Sequence, residues 1–371
     1  MNAINIGNLN ISLPIFQGGM GVCVSLSGLA SAVANEGGVG VISAAGIGMN
    51  EPDYNTNFRE ANKRALRNEI QKARKLTKGV LGLNIMLALT DHEELIQVAL
   101  DEKIDILIMG AGLPLKIPAM ISSSGRDGHK TKLLVKVSSA KAAKLIFQYW
   151  ANKYGYVPDA VVVEGPMAGG HLGFKKEELT GKLVPLHILV EETIREISIF
   201  ENQFSKEIPV IAAGGIYSGK DIYEIMQYGA KAVKMGTRFV TTNECDASID
   251  FKETYLACKK EDISIINSPV GLPGRVIKND FVNQIHAGKT HPFKCIWHCL
   301  GSCNYLTAPY CIAQVLHNSA KGRMNAGFAF AGTNAYLADK IISVKETFNQ
   351  IKEEYFQEKE RIKLLSAQLR A

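Results

Sequence analysis

The residue in this chain best suited to proton chemistry is a histidine that follows two glycines, in Glu164-Gly-Pro-Met-Ala-Gly-Gly-His171. It comes after the apolar run Ala160-Val-Val-Val163, and no bulky side chain crowds the ring. An imidazole titrates near pH 6.5, so it can give or take a proton at neutral pH. A lone histidine is more often a surface or satisfied core group. His92, His187 and His317 read that way, because none of them has comparable placement.

A second chemical signal is a pair of glycine loops. Pro209-Val-Ile-Ala-Ala-Gly-Gly-Ile-Tyr-Ser-Gly-Lys-Asp221 puts Gly214 and Gly215 between an apolar strand and a helix. Gly229-Ala-Lys-Ala-Val-Lys-Met-Gly-Thr-Arg-Phe239 repeats the geometry with Gly236 and Thr237. Backbone N–H groups free of side-chain obstruction, at a helix start, bind a phosphate dianion. Either glycine pair alone would serve a tight turn; two such loops from adjacent strands make the phosphate site common in barrels.

The third signal is a cysteine cluster, Cys295-x3-Cys299-x3-Cys303-x7-Cys311. On one helix the first three thiols would form a stripe, and Cys311 would fold back after Pro309. Four thiolates could hold an iron-sulfur cluster or a structural zinc. The spacing matches no C-x2-C pattern and Gly301 interrupts the stripe, so free thiols in a reducing compartment are the competing reading. Cys23, Cys245 and Cys258 are isolated, with Cys23 near enough to a strand-end loop to touch a cofactor.

Positioning these groups requires a regular scaffold. Apolar runs bounded by glycine or polar residues recur at 13–17, 39–43, 79–86, 104–109, 132–137, 160–164, 209–213 and 232–235. Amphipathic stretches separate them at 25–35, 59–75, 91–100, 140–153, 189–204 and 218–228. Residues 112–130 give the weakest helix, broken by Pro114, Pro118 and Ser122-Ser-Ser-Gly-Arg-Asp-Gly128. Eight such alternations predict an α/β protein, a closed (β/α)₈ TIM barrel whose active site lies at the strand C-termini. Residues 1–243 would form the barrel, completed by 318–371. Residues 244–317, without strand-helix rhythm, would form a small cysteine-bearing domain over its mouth. Residues 332–363 read as a long terminal helix returning to the barrel wall.

Bulk properties narrow the partners. The 371 residues are 46% hydrophobic and 21% charged, as in ordinary folded proteins. A net charge of +6, interleaved along the chain, does not predict nucleic-acid binding. Apolar runs fall far short of the roughly 20 residues that span a bilayer. The N-terminus lacks the pattern of an export signal, so a cytoplasmic location is expected.

Several segments taken together resemble the nitronate monooxygenase family, which also includes FMN-dependent enoyl-acyl-carrier-protein reductases. They are Gln17-Gly-Gly-Met-Gly21, Leu83-Asn84, Glu164-Gly165 with Ala168-Gly-Gly-His171, Ala213-Gly-Gly-Ile216 and Met235-Gly-Thr-Arg-Phe239. The resemblance implies an FMN-dependent oxidoreductase with the flavin phosphate on Gly214, Gly215, Gly236 and Thr237. Gly19, Met20, Asn84, Lys136, Gly169 and Gly170 would line the rest of the flavin. His171 would act as acid/base or orient the substrate. Lys136, after Leu133-Leu-Val135 at a strand end, would place positive charge near a reduced, anionic flavin rather than snorkel at the surface. The implied reaction is oxidation of alkyl nitronates with O₂, or NAD(P)H-dependent reduction of an enoyl thioester. A homodimer is a further open expectation. A non-catalytic FMN barrel and a flavin-free phosphosugar barrel are the remaining alternatives.

Overall fold

The computed structural model describes residues 1–123 and 130–368. Among them, eight parallel strands close into a barrel in chain order: Ile15–Gln17, Val39–Ser43, Val80–Met86, Ile106–Gly110, Lys132–Val137, Ala160–Glu164, Val210–Ala213 and Ala232–Met235. The eighth pairs with the first through Val233 and Ile15, which closes the ring. Each expected strand is present, shifted by at most two residues at an end. Continuous runs of Val, Ile and Leu suit strands covered on both faces.

Side chains alternate along each strand, so a barrel interior can be read by parity. Phe16, Val39, Val41, Ile106, Ile108, Leu134, Ala160, Val162, Ile211, Ala213 and Ala232 form one interior core. The hairpin of Ile4–Ile6 with Leu9–Ile11 plugs its lower end with Ile6 and Ile11. Continuing the same parity one step toward the strand C-termini brings Ser43, Asn84, Lys136, Glu164 and Lys234 inward. The barrel therefore ends in a polar layer above an apolar one.

Helices Ser27–Asn35, Phe58–Leu76, His92–Asp101, Ala140–Tyr154, Leu186–Phe204 and Gly219–Gln227 cover the outside. A short helix, Ile117–Ser123, occupies the stretch that read as weakest. Of the breaker Ser122 to Gly128, residues 124–128 lie outside the described residues. The terminal helix runs Val344–Gln368, a dozen residues later than its apolar pattern suggested. Its start is set by Ser343 and Glu346: the Glu346 carboxylate accepts from the Ser343 N–H at 2.8 Å, and Ser343 Oγ accepts from the Glu346 N–H at 3.1 Å. The helix fills the eighth position, between helices Gly219–Gln227 and Ser27–Asn35.

Between the eighth strand and that helix lies an insertion with its own core of Ile266, Val276, Phe281, Tyr310, Val315 and Phe328. Strands Ile263–Asn267 and Pro273–Ile277 pair antiparallel there, and Pro273–Ile277 adds the short strand Gly170–His171. Among the described residues, no helix is long and apolar enough to cross a membrane.

Candidate functional site

His171 is not in a free loop. Its backbone pairs with Gly274, and Gly170 pairs with Arg275. This short ladder ties the loop after the sixth strand to the insertion. His171 Nε2 lies 2.7 Å from Ser268 Oγ, and that oxygen also accepts from the Val270 N–H at 3.3 Å. Where Ser268 donates its own proton to Nε2, the ring proton sits on Nδ1. The Phe330 ring meets the imidazole edge-on, centroids 4.8 Å apart. Burial, helped by Lys136, pulls the imidazole down to about 4, so the ring is neutral at physiological pH.

Arg275 holds this loop from below. It is 3% exposed, and its guanidinium donates to the Pro166 carbonyl at 2.6 Å and to the Ala168 carbonyl. Burial lowers it to about 10, still charged at neutral pH. Its role was not legible from spacing, since the partners lie more than a hundred positions away. Arg275→Ala leaves those carbonyls unsatisfied and is expected to cost about 1–3 kcal/mol of stability. Urea denaturation checks this, and an unchanged midpoint would show that the clamp carries no load.

Gly214 and Gly215 adopt φ of +98° and +81°, which side chains rarely tolerate. A Cβ on Gly214 would stand 2.9 Å from the Gly165 carbonyl oxygen, and one on Gly215 2.9 Å from Met167 Cβ. The N–H groups of Gly214, Gly215, Gly236 and Thr237 have no acceptor among the described residues. Thr237 opens the one-turn helix Thr237–Val240. Such a set of unpaired donors fits a phosphate. The Thr237 hydroxyl accepts from the Gly332 N–H at 3.0 Å, and Asn334 donates to the Gly215 carbonyl at 2.7 Å. Segment 331–334 therefore braces these glycine loops, and Gly169 packs on the same backbone at Ala331 and Gly332.

The first-strand loop faces these elements. A Cβ on Gly19 would fall 2.3 Å from Asn84 Cβ, so Gly19 lets the loop lie against that side chain. Met20 reaches toward Gly236, where a Cβ would stand 3.5 Å from its sulfur. Gly170 has open space on its Cβ side. The fold thus gathers Gly19, Met20, Asn84, Gly169, Gly170, His171, Gly214, Gly215, Gly236 and Thr237 at one end of the barrel.

Lys136 does face inward, but its ammonium is already paired. Nζ lies 3.0 and 2.9 Å from the two oxygens of Glu164, which is 8% exposed. Sequence reading overlooked Glu164 as that partner, although parity along 160–164 points it inward. His92 Nδ1 lies 2.7 Å from the Leu89 carbonyl oxygen, His187 stacks on Tyr228, and His317 Nε2 lies 2.9 Å from Asn50 Oδ1.

The cysteine stripe does not form. Residues 290–311 contain no helix, because Pro292, Gly301 and Pro309 interrupt them and His298 takes φ of +45°. The segment instead hooks onto the loop after the third strand, with the Thr90 N–H donating to the Cys299 carbonyl at 3.1 Å and the Gly301 N–H to the Ala88 carbonyl at 2.9 Å. Cys295, Cys299, Cys303 and Cys311 are free and partly exposed. Among the described residues, no three Cys, His, Asp or Glu side chains are placed to share a metal ion. Cys23 is buried, accepts from Asn50, and is pushed up to about 12 by burial, so it stays a thiol.

A family model described as nitronate monooxygenase matches residues 2–354. A protein of Rhodococcus jostii named (3aS,4S,5R,7aS)-5-hydroxy-7a-methyl-1-oxo-octahydro-1H-indene-4-carboxyl-CoA dehydrogenase is 28% identical over 281 residues, covering 76% of this chain and 67% of its own. A "Probable nitronate monooxygenase" of Staphylococcus haemolyticus is 26% identical over 322 residues, covering 77% and 81%. Among solved structures, FabK from Thermotoga maritima is 28% identical with a TM-score of 0.73, covering 95% of this chain and 96% of its own. The nitroalkane oxidase of Streptomyces ansochromogenes, 21% identical with a TM-score of 0.72 and covering 95% and 98%, shares the fold.

Proposed function

The chain belongs to the nitronate monooxygenase family, and from that membership we propose that it is an FMN-dependent enzyme oxidising alkyl nitronates with O₂. One observation supports this reading above others: a buried, neutral His171 shares the strand C-terminal end of the barrel with the N–H groups of Gly214, Gly215, Gly236 and Thr237, which have no acceptor among the described residues. Bound FMN supplies the redox chemistry. The N–H groups of Gly214, Gly215, Gly236 and Thr237 hold its phosphate. Gly170 leaves open space for a flat ring, Gly19 lets the first-strand loop lie against Asn84, and Asn84 would offer a hydrogen bond to the ring's polar edge.

The state of His171 decides its role. An imidazole pulled down to about 4 is a weak base toward a carbon acid, so it is poorly matched to deprotonating a neutral nitroalkane. A nitronate is already an anion and needs only a donor. In the tautomer in which Ser268 donates to Nε2, Nδ1–H supplies that donor, Ser268 fixes the ring, and the Phe330 ring packs against its edge. The insertion, residues 244–317, acts on this reading as the substrate-side cover, because Ser268 belongs to it.

Likeness to FabK and to a dehydrogenase of a CoA thioester supports a second reading, NAD(P)H-dependent reduction of an enoyl thioester. Stopped-flow absorbance separates the two. Anaerobic oxidised holoenzyme mixed with propyl-2-nitronate is expected to bleach its flavin rapidly, and O₂ to restore it. Absence of bleaching, with rapid reoxidation of NADPH-reduced enzyme by a short enoyl-CoA, would replace the first reading with the second. The spectrum of the same anaerobic sample also reports any iron-sulfur cluster on Cys295, Cys299, Cys303 and Cys311, as visible absorbance beyond the flavin bands.

A further inference from the structure

One charged side chain of the barrel mouth has no place in the chemistry above. Phe16, Lys234, Ala213 and Glu164 stand side by side in register across the first, eighth, seventh and sixth strands. Phe16 and Ala213 belong to the interior core, and register neighbours share a face, so Lys234 and Glu164 point into the barrel as well. Ala213 between them is too small to fill the space above it. Lys136 reaches Glu164 from the fifth strand and occupies both carboxylate oxygens.

Lys234 Nζ has no acceptor among the described residues. Two ammonium groups and one carboxylate therefore leave this interior layer with one uncompensated positive charge. Burial and the neighbouring Lys136 lower Lys234 to about 8, which keeps it mostly protonated at neutral pH. A lone cation in a semi-enclosed site is costly unless an anion joins it. The anion that Lys136 was expected to meet is better matched to Lys234, because Glu164 already neutralises Lys136.

We propose that Lys234 is a charge-balancing residue of this site, the counter-ion for the negative charge that a flavin ring carries once reduced. Two electrons and one proton delivered to the ring leave one net negative charge on it, and an ammonium below stabilises that state over the neutral oxidised one. The proposal rests on the flavin reading.

The test uses the full chain with FMN, comparing wild type, Lys234→Gln and Lys234→Arg by sulfite titration and by equilibrium with reference dyes. Sulfite is a suitable probe, because its addition to the oxidised ring with its own electron pair gives an adduct at the reduced level whose ring carries one negative charge. Lys234→Gln is expected to weaken sulfite binding by about tenfold or more and to lower the two-electron potential by roughly 30 mV for each tenfold. Lys234→Arg is expected to restore both. Wild-type affinity and potential in an FMN-bound Lys234→Gln enzyme would overturn the charge role alone. Equal loss in Lys234→Arg and Lys234→Gln would also overturn it, since the charge would then be irrelevant. A wild-type chain that takes up no FMN would overturn the flavin reading itself.

Discussion

His171→Ala is expected to lower kcat with nitronate by about 10²–10³-fold, the usual effect of removing one aimed donor, while FMN content stays at the wild-type level. The loss follows from geometry. Ser268 fixes one ring nitrogen and the Gly170–His171 strand fixes the backbone, so Nδ1 has a single direction. Ser268→Ala should produce a smaller loss, because the strand pairing remains. The pH profile makes the same point. A histidine whose folded pKa is depressed stays neutral until the pH falls to that value, about 4 here. The kcat/KM profile should therefore show no limb at the ordinary histidine pKa of about 6.5 and stay flat from about pH 7 to about pH 5. Full turnover by His171→Ala, or a limb near 6.5 that this variant abolishes, would remove the donor role.

Gly214→Val is expected to give a folded protein that no longer retains FMN. The new side chain meets the Gly165 carbonyl oxygen and the Ala168 nitrogen at positive φ. Misaligning two charge-assisted N–H contacts costs about 3 kcal/mol or more, which exceeds 100-fold in affinity. Gly155→Ala is the control. It carries the same kind of backbone strain at φ of +61°, with open space around its Cβ and no part in the site. Fluorescence titration of the apoproteins with FMN should separate the two. Equal affinity in both would mean that the phosphate lies elsewhere.

The parts of the structure legible in the sequence are those governed by local pattern. The eight strands were readable because a strand buried on both faces needs a continuous apolar run. The loop at Gly214 was readable because few other residues fit there, and the one at Gly236 because it repeats the same place between an apolar strand and a helix. Contacts formed across long stretches of chain were not. Nothing near His171 announces Ser268, and nothing near Ala168 announces Arg275, although both lie in the 244–317 segment that lacks strand-helix rhythm. The Lys136–Glu164 pair and Lys234 fall between these cases: inward parity places all three, but only the side-chain distances show which cation lacks a partner. The cysteine stripe failed because spacing was read as helix through Gly301, where local backbone preference prevailed.

The terminal helix carries a consequence for how the protein is made. Gly219 is so close to the Ile351 carbonyl oxygen that a Cβ there would stand 2.0 Å away, and Phe239 packs on Phe348 with centroids 5.7 Å apart. The wall between the seventh and first helices is therefore sealed by the helix Val344–Gln368, which follows the eighth strand only after the whole insertion. A nascent chain that has emerged through its eighth strand still exposes that apolar seam, and it must also thread the whole insertion before the seam is covered. The glycine loops, braced by 331–334, and the wall behind them therefore mature together, after the insertion has been made.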